Sequence, residues 1–170
     1  MSKFLIRQAY NYVYYGNYSY DYDWSNWYKD DHARAVVVAD IVIKKDRVLR
    51  VLNNHGNYSK EKIDSPRSLK ECQHIKQQAQ LCKGPVIIAG DFNLHPNTQS
   101  IKILNKVFTN LTSKYKLEST LPINDGSVLQ LKNVIDYIFA NKQVIVKDFR
   151  VVKTSVSDHY SLILDFELKK

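Results

Sequence analysis

Gly84-Pro85-Val86-Ile87-Ile88-Ala89-Gly90-Asp91-Phe92-Asn93-Leu94-His95-Pro96 is the stretch on which the reading of the fold turns. Val86 to Ala89 has the length and β-branched character of a strand buried on both faces. Gly90 has no Cβ and permits a sharp change of direction. Asp91 and Asn93 then alternate with Phe92, so two polar side chains point one way and a ring points back. A carboxylate at the end of a core strand is costly unless a positive or hydrogen-bonding partner meets it. Taken alone, the stretch reads equally well as a catalytic or metal-binding carboxylate and as the start of an ordinary turn.

The flanking sequence sets this strand in a layered architecture. On its N-terminal side the spacing predicts a helix, with Ser65 as N-cap and Pro66 at the first helical position, where its missing N–H costs nothing. Leu69, Cys72, Ile75, Ala79 and Cys82 make its apolar stripe, and Gly84-Pro85 ends it. Before that helix, Ala35–Lys44 and Val48–Asn53 read as a hairpin closed by Lys44-Lys45-Asp46-Arg47, and the second strand runs out into Asn53-Asn54-His55-Gly56. On the C-terminal side Pro96 keeps His95 out of helical geometry. Asn97 or Thr98 then caps a second helix that buries Ile101, Leu104, Phe108 and Leu111. Ser113–Lys132 lacks periodicity and reads mostly as loop. Val134–Ala140, Val144–Val152 and Tyr160–Leu168 read as three further strands, the last with Leu162, Leu164, Phe166 and Leu168 inward and the first two joined by a tight turn at Asn141-Lys142. Strand–helix–strand order of this kind is typical of α/β layers. No repeat or linker divides the chain, so one domain is expected over residues 1–170.

Residues 1–32 are of a different character. Eight of the twelve tyrosines and both tryptophans fall between Tyr10 and Tyr28. The alternation in Tyr10–Tyr14 is compatible with a strand, whereas Tyr18–Trp24 has no helical period and reads as an aromatic loop. Such a loop is either a lid or stacking platform for a base or lipid headgroup, or a surface loop packing its own rings over the core; the second is the preferred reading.

Composition narrows the function classes. The apolar share of 44% and charged share of 25% are those of an ordinary globular chain. No apolar run approaches the ~20 residues of a membrane span, and Met1–Gln8 lacks the length and cleavage site of a secretory signal. Two cysteines ten apart, on different faces of a helix, suit reduced thiols and a cytoplasmic location. A net charge of +8 favours a polyanionic partner, nucleic acid or another phosphorylated substrate.

Two further interruptions complete a pattern. Asp136 lies inside the apolar run Val134-Ile135-Asp136-Tyr137-Ile138-Phe139, and Ser157-Asp158-His159 stands just before the last strand. Each has a bland explanation, but His55, Asp91, Asn93, Asp136, Asp158 and His159 together share none easily. Gly90-Asp91-Phe92-Asn93, Ile135-Asp136-Tyr137-Ile138-Phe139 and Ser157-Asp158-His159-Tyr160-Ser161-Leu162 resemble, in this order and spacing, the endonuclease/exonuclease/phosphatase superfamily. Asn53-Asn54-His55 is similar to its strand-end histidine motif, and Arg67 to an arginine at the start of the following helix. The resemblance covers roughly Ala33 to the C-terminus.

It implies a four-layer α/β sandwich, two mixed sheets face to face with helices outside, and divalent-metal-dependent hydrolysis of a phosphoester using Mg²⁺ or Mn²⁺. Carried over by residue, His159 would contact the scissile phosphate or act as general acid/base, oriented by Asp136. Asp91 would position or deprotonate the attacking water, and Asn93 and His55 would hold phosphate oxygens. Asp158, with Asp91 and Asn93, would bind the metal, and Asn53 and Arg67 would contact substrate. The resemblance also implies two N-terminal metal-site motifs, one carrying Asn and one carrying Gln-Glu, that find no match here. The expectation is a domain incomplete at its N-terminus, a degenerate relative, or a chain in which Asp21, Asp23 or Asp40 replaces the lost ligand, in that order. The alternative to a hydrolase is a catalytically dead phosphate- or nucleic-acid-binding module.

Overall fold

In the computed structural model, which describes residues 2–16, 33–45, 47–122 and 133–169, the apolar run is a strand enclosed on both sides. The elements in chain order are β1 (Leu5–Tyr15), β2 (Arg34–Lys44), β3 (Arg47–His55), α1 (Pro66–Gln80), β4 (Val86–Asp91), α2 (Gln99–Asn105), β5 (Thr109–Asn110), α3 (Leu111–Lys114), β6 (Asp136–Ala140), β7 (Val144–Val152) and β8 (Ser161–Leu168). Six strands make one mixed sheet in the order β1-β2-β3-β4-β6-β5, with β3 and β4 parallel and the other neighbours antiparallel. β7 and β8 pair antiparallel as a second sheet.

Register explains why β4 is apolar throughout. Val38, Leu52, Ile88 and Phe139 stand in one row across four strands, fully buried with Cys72 and Ile75 of α1 and Ile101 and Leu104 of α2. The adjacent row, Ala39, Val51, Ile87 and Ala140, faces the other way. Val51, Ile87 and Ala140 belong to a second core with Phe149, Leu162, Leu164, Phe166 and Leu168 of the smaller sheet. Alternate residues of β4 thus enter different cores. The described residues form an α/β sandwich of helices, large sheet and small sheet.

The local signals hold with instructive exceptions. Ser65 caps α1, accepting from the Ser68 amide, while Ser68 accepts from Ser65 N–H in return. The buried stripe of α1 is Ser68, Glu71, Cys72, Ile75 and Ala79, with Leu69 only half-buried and Cys82 beyond the helix end. Thr98, not Asn97, caps α2. Ile101, Leu104, Phe108 and Leu111 are all buried, but they do not lie on one helix. α2 stops at Asn105; Thr109 and Asn110 pair with β6, and the Asn110 side chain, accepting from Ser113 N–H, starts α3. The expected loop over Ser113–Lys132 therefore begins inside a short helix, and its part from 123 to 132 lies outside the described residues.

The tyrosine alternation near the N-terminus is a strand: β1 joins the sheet beside β2, so residues before Ala33 contribute to the fold. The expected aromatic loop at Tyr18–Trp24 lies outside the described residues. No described helix is long and apolar enough to cross a membrane.

Candidate active site

The sheet register assembles the site. His55 of β3 pairs with Asp91 of β4, and Asp91 pairs with Asp136 of β6, so three polar residues form one transverse row at the sheet's end. Residues directly opposite in a sheet project to the same face. The row alternates with Asn54, Gly90 and Tyr137, which belong to the helix-facing set, and so it faces the smaller sheet. His159, from the segment entering β8, comes to the same place. Its Nδ1 lies 2.9 and 3.1 Å from the two Asp136 oxygens, and its Nε2 lies 3.9 Å from Asp91 Oδ2. His55 Nε2 is 3.8 Å from the same Asp91 oxygen. These groups, with Lys62, Asn93 and Asp158, line a cavity of about 860 Å³.

Asp136 is positioned by more than its strand. Burial pushes its carboxyl above the usual carboxylate range, with the Asp91 charge adding to the rise and the Thr120 and His159 contacts opposing it. The fully buried Thr120 ties β6 to β8. Its Oγ1 accepts from the Ile135 and Asp136 amides at 3.2 Å each, and its carbonyl accepts from Tyr160 N–H at 2.8 Å. Asp136 and His159 therefore arrive together because one threonine holds both segments.

The turn after β4 is equally constrained. At Gly90 φ is +144°, and a Cβ there would stand 1.9 Å from the Asn54 carbonyl oxygen, so this position requires glycine. Asn93 is buried in left-handed backbone, φ 53°, with its amide donating to Asp91 Oδ1 at 2.7 Å. Its side-chain oxygen accepts from Lys62 Nζ at 2.5 Å, and its Nδ2 donates to Gly56 O.

The other predicted residues divide. Asp158 borders the cavity but is exposed, accepting from Ser157 Oγ. Asn53 is exposed, on the same sheet face as His55, and does not line the cavity. Arg67 stacks over the Tyr15 ring, donates to its hydroxyl at 2.6 Å, and borders a neighbouring cavity of about 380 Å³. Asp40 is no replacement metal ligand: it is buried on the helix side of the sheet, bonded to Arg50 Nε at 2.8 Å and Nη2 at 2.9 Å. Asp21 and Asp23 lie outside the described residues.

Sequence reading missed Lys62, Thr120 and Glu71. Nothing in the local pattern marks the first two. Glu71 had a signal, since it stands three residues after Ser68 and four before Ile75 on the buried stripe. Its carboxyl, pushed up by burial, accepts from Asn54 Nδ2 and from the Asn57 backbone and side chain, so it fixes the loop that leaves β3 beside His55.

Asp91, Asp136 and His159 each offer an atom within 4.8 Å of the others, a spacing suited to a metal ion. The two carboxylates suit Mg²⁺ or Mn²⁺ with water completing the sphere, whereas an imidazole is the ligand of softer divalent ions. His159 Nδ1 is already engaged by Asp136, however, so Asp91 is the group in this cluster with an oxygen lining the cavity and, among the described residues, no shorter ion-pair contact than 3.8 Å at that atom.

Solved structures share this arrangement of elements. An endonuclease/exonuclease/phosphatase from Bacteroides vulgatus matches 98% of this chain and 67% of its own at 17% identity, TM-score 0.72. A mannosyl-6-phosphatase from Bacteroides thetaiotaomicron matches 98% and 68% at 19% identity, TM-score 0.67. TDP2 from D. rerio, complexed with a single-strand DNA product, matches 97% and 68% at 14% identity, TM-score 0.60. The chain thus spans about two-thirds of the length of each. No curated protein matches it by sequence. The profile of the Endonuclease/Exonuclease/phosphatase family, whose members include nucleases and phosphatases, matches residues 6–159, from β1 through His159. With the sheet order, the row of acids and the His159–Asp136 pair lying inside that match, this chain belongs to the endonuclease/exonuclease/phosphatase family.

Proposed function

We propose that the chain is a divalent-metal-dependent phosphoesterase acting at the cavity formed by Asp91, Asp136 and His159. The observation that carries this reading is the pairing of His159 with Asp136 while its other ring nitrogen faces Asp91 across 3.9 Å. Acceptance by Asp136 fixes the proton on Nδ1 and leaves Nε2 toward the cavity. Nε2 is then the atom that gives a proton to, or takes one from, a phosphate oxygen or leaving group. Asp136 orients the ring.

Asp91 Oδ2 lies between the two imidazoles, which places it to orient an attacking water and accept its proton. His55, whose Nε2 lies 3.8 Å from Asp91 Oδ2, is the donor for a phosphate oxygen, and Asn93 donates its amide to Asp91 and holds that carboxylate in place. Asp91 with Asp158 would hold Mg²⁺ or Mn²⁺, which when bound supplies neutralisation of phosphate charge and a lowered pKa of bound water. Asn93 Oδ1 accepts from Lys62, so its part is positioning rather than ligation. The net charge of +8 supports a polyanionic substrate, and the family relatives named above include proteins of sugar-phosphate and DNA chemistry.

The test is hydrolysis of bis(p-nitrophenyl) phosphate and p-nitrophenyl phosphate by the purified chain after chelator treatment and readdition of Mg²⁺ or Mn²⁺. Metal-restored turnover, abolished in Asp91→Ala and His159→Ala proteins that melt normally, is the expected result. A folded protein that binds phosphate without any turnover would establish the binding-module reading instead.

A further inference from the structure

Lys62 was absent from the pattern of strand-end polar groups, yet its ammonium is inside the cavity. It lies 3.8 Å from the Tyr58 ring centroid and 2.5 Å from Asn93 Oδ1. Both partners of the latter contact have backbone that L residues rarely adopt, φ 52° at Lys62 and φ 53° at Asn93. Each such conformation costs free energy and persists only where the surroundings enforce it. Here they do: the Lys62 carbonyl accepts from His95 N–H at 2.8 Å, and its amide donates to Ser59 O at 3.3 Å. The lysine is thus tethered through its main chain to the turn that follows Asn93. The carboxylates that act on it are Asp91 and Asp136, and partial burial still leaves its pKa lowered, so the ammonium stands in a poorly solvated place.

An incoming phosphate meets Asp91, Asp136 and Asp158 in this cavity, so anion binding needs fixed positive charge. On the phosphoesterase reading, a divalent cation offsets part of that field. A phosphomonoester dianion carries one more negative charge than a diester monoanion, and among the described residues lining the cavity the ammonium of Lys62 is the further cation. We infer that Lys62, backed by Tyr58, grips the non-bridging oxygens of a terminal phosphate and makes the site selective for phosphomonoesters over phosphodiesters. Lys62 is a specificity-determining residue: the ammonium swings from Asn93 Oδ1 to the phosphate, and loss of the substrate's second negative charge removes about half of the gain.

The inference rests on the phosphoesterase reading and is tested beside it by steady-state kinetics of wild type, Lys62→Gln and Lys62→Arg on p-nitrophenyl phosphate and its bis ester. Removing a cation about 4 Å from a phosphate charge at effective dielectric ~20 lowers monoester kcat/KM roughly 1,000-fold. The loss should appear mainly in KM. The diester, with half the charge, should lose only about 30-fold, and arginine should restore most of the monoester rate. Equal losses on both substrates, or no loss on either, overturn the inference while leaving the phosphoesterase reading intact. If neither ester is hydrolysed, that reading fails, and calorimetric titration with inorganic phosphate decides on Lys62. Binding lost in Lys62→Gln and kept in Lys62→Arg upholds the grip, and unchanged binding in Lys62→Gln overturns it. Thermal melting of each variant confirms the fold.

Discussion

Replacing Asp136 with Asn keeps shape and an acceptor oxygen for His159 Nδ1–H but removes the carboxylate charge. The side chains of Asp136 and His159 are 14% and 31% exposed, so the pair is neither fully solvated nor dry. Two unit charges about 4 Å apart interact by about 4 kcal/mol at an effective dielectric of ~20, and by about 1 kcal/mol in water. An intermediate loss of ~2–4 kcal/mol in stabilising a charged imidazolium corresponds to a fall in kcat of roughly 30- to 1,000-fold. The assay is hydrolysis of bis(p-nitrophenyl) phosphate with Mn²⁺ from about pH 5 to 9. Urea denaturation in parallel checks the fold, since Asp136→Asn also relieves the burial that raises this carboxyl. Activity within about 3-fold of wild type would refute the assignment of Asp136 as the group that orients His159 and stabilises its imidazolium in the transition state.

Three stability predictions can be checked by chemical denaturation. Gly90→Ala should destabilise by at least ~3 kcal/mol, since the backbone there costs ~1–3 kcal/mol for a residue with a Cβ and that Cβ would also meet the Asn54 carbonyl; a smaller change would show that β3 and β4 part easily at this point. Asp40→Ala should cost about 3–5 kcal/mol near neutrality by leaving the buried Arg50 unpaired. Its hydrogen bond with Arg50 holds the Asp40 carboxyl below its ordinary value. The stabilisation is therefore present above the unfolded pKa of about 3.9 and is lost as pH falls through the lower folded value. The gap between wild type and variant should narrow on acidification and stay wide at pH 7. Phe92→Ala, at a fully buried ring in edge contact with Tyr137 and Phe139, should lose about 3–5 kcal/mol.

What could be read from the sequence was whatever one strand or helix decides for itself. Val86–Ala89 is apolar because both its faces enter cores, and Asp91 and Asp136 stand out against such runs. Ser65-Pro66 and Thr98 announce their helices by chemistry confined to a few residues. Lys62 and Thr120 gave no such notice, because each acts through distant main chain: Lys62 through His95, Thr120 through residues 133–136 and 160. Leu111 misled for a related reason. Its spacing from Ile101, Leu104 and Phe108 fits a helix, but burial at that position is set by the two-residue pairing with β6, which periodicity does not register.

His55, Asp91 and Asp136 owe their separation to the interstrand spacing of the sheet, about 4.8 Å per step, and so share the sheet's rigidity. His159 does not. It follows a run, Ser155 to Asp158, that is exposed throughout, with Val156 88% exposed, and among the described residues its hold on the large sheet is its ring's contact with Asp136, helped by the bond from Tyr160 N–H to Thr120 O. The site therefore has a stationary part and a detachable part. As denaturant rises, segments with few buried contacts open before the strands they flank. The imidazole should leave first, while the row from His55 to Asp136 keeps its spacing, so on the proposed function turnover should fade in urea before the fold is lost.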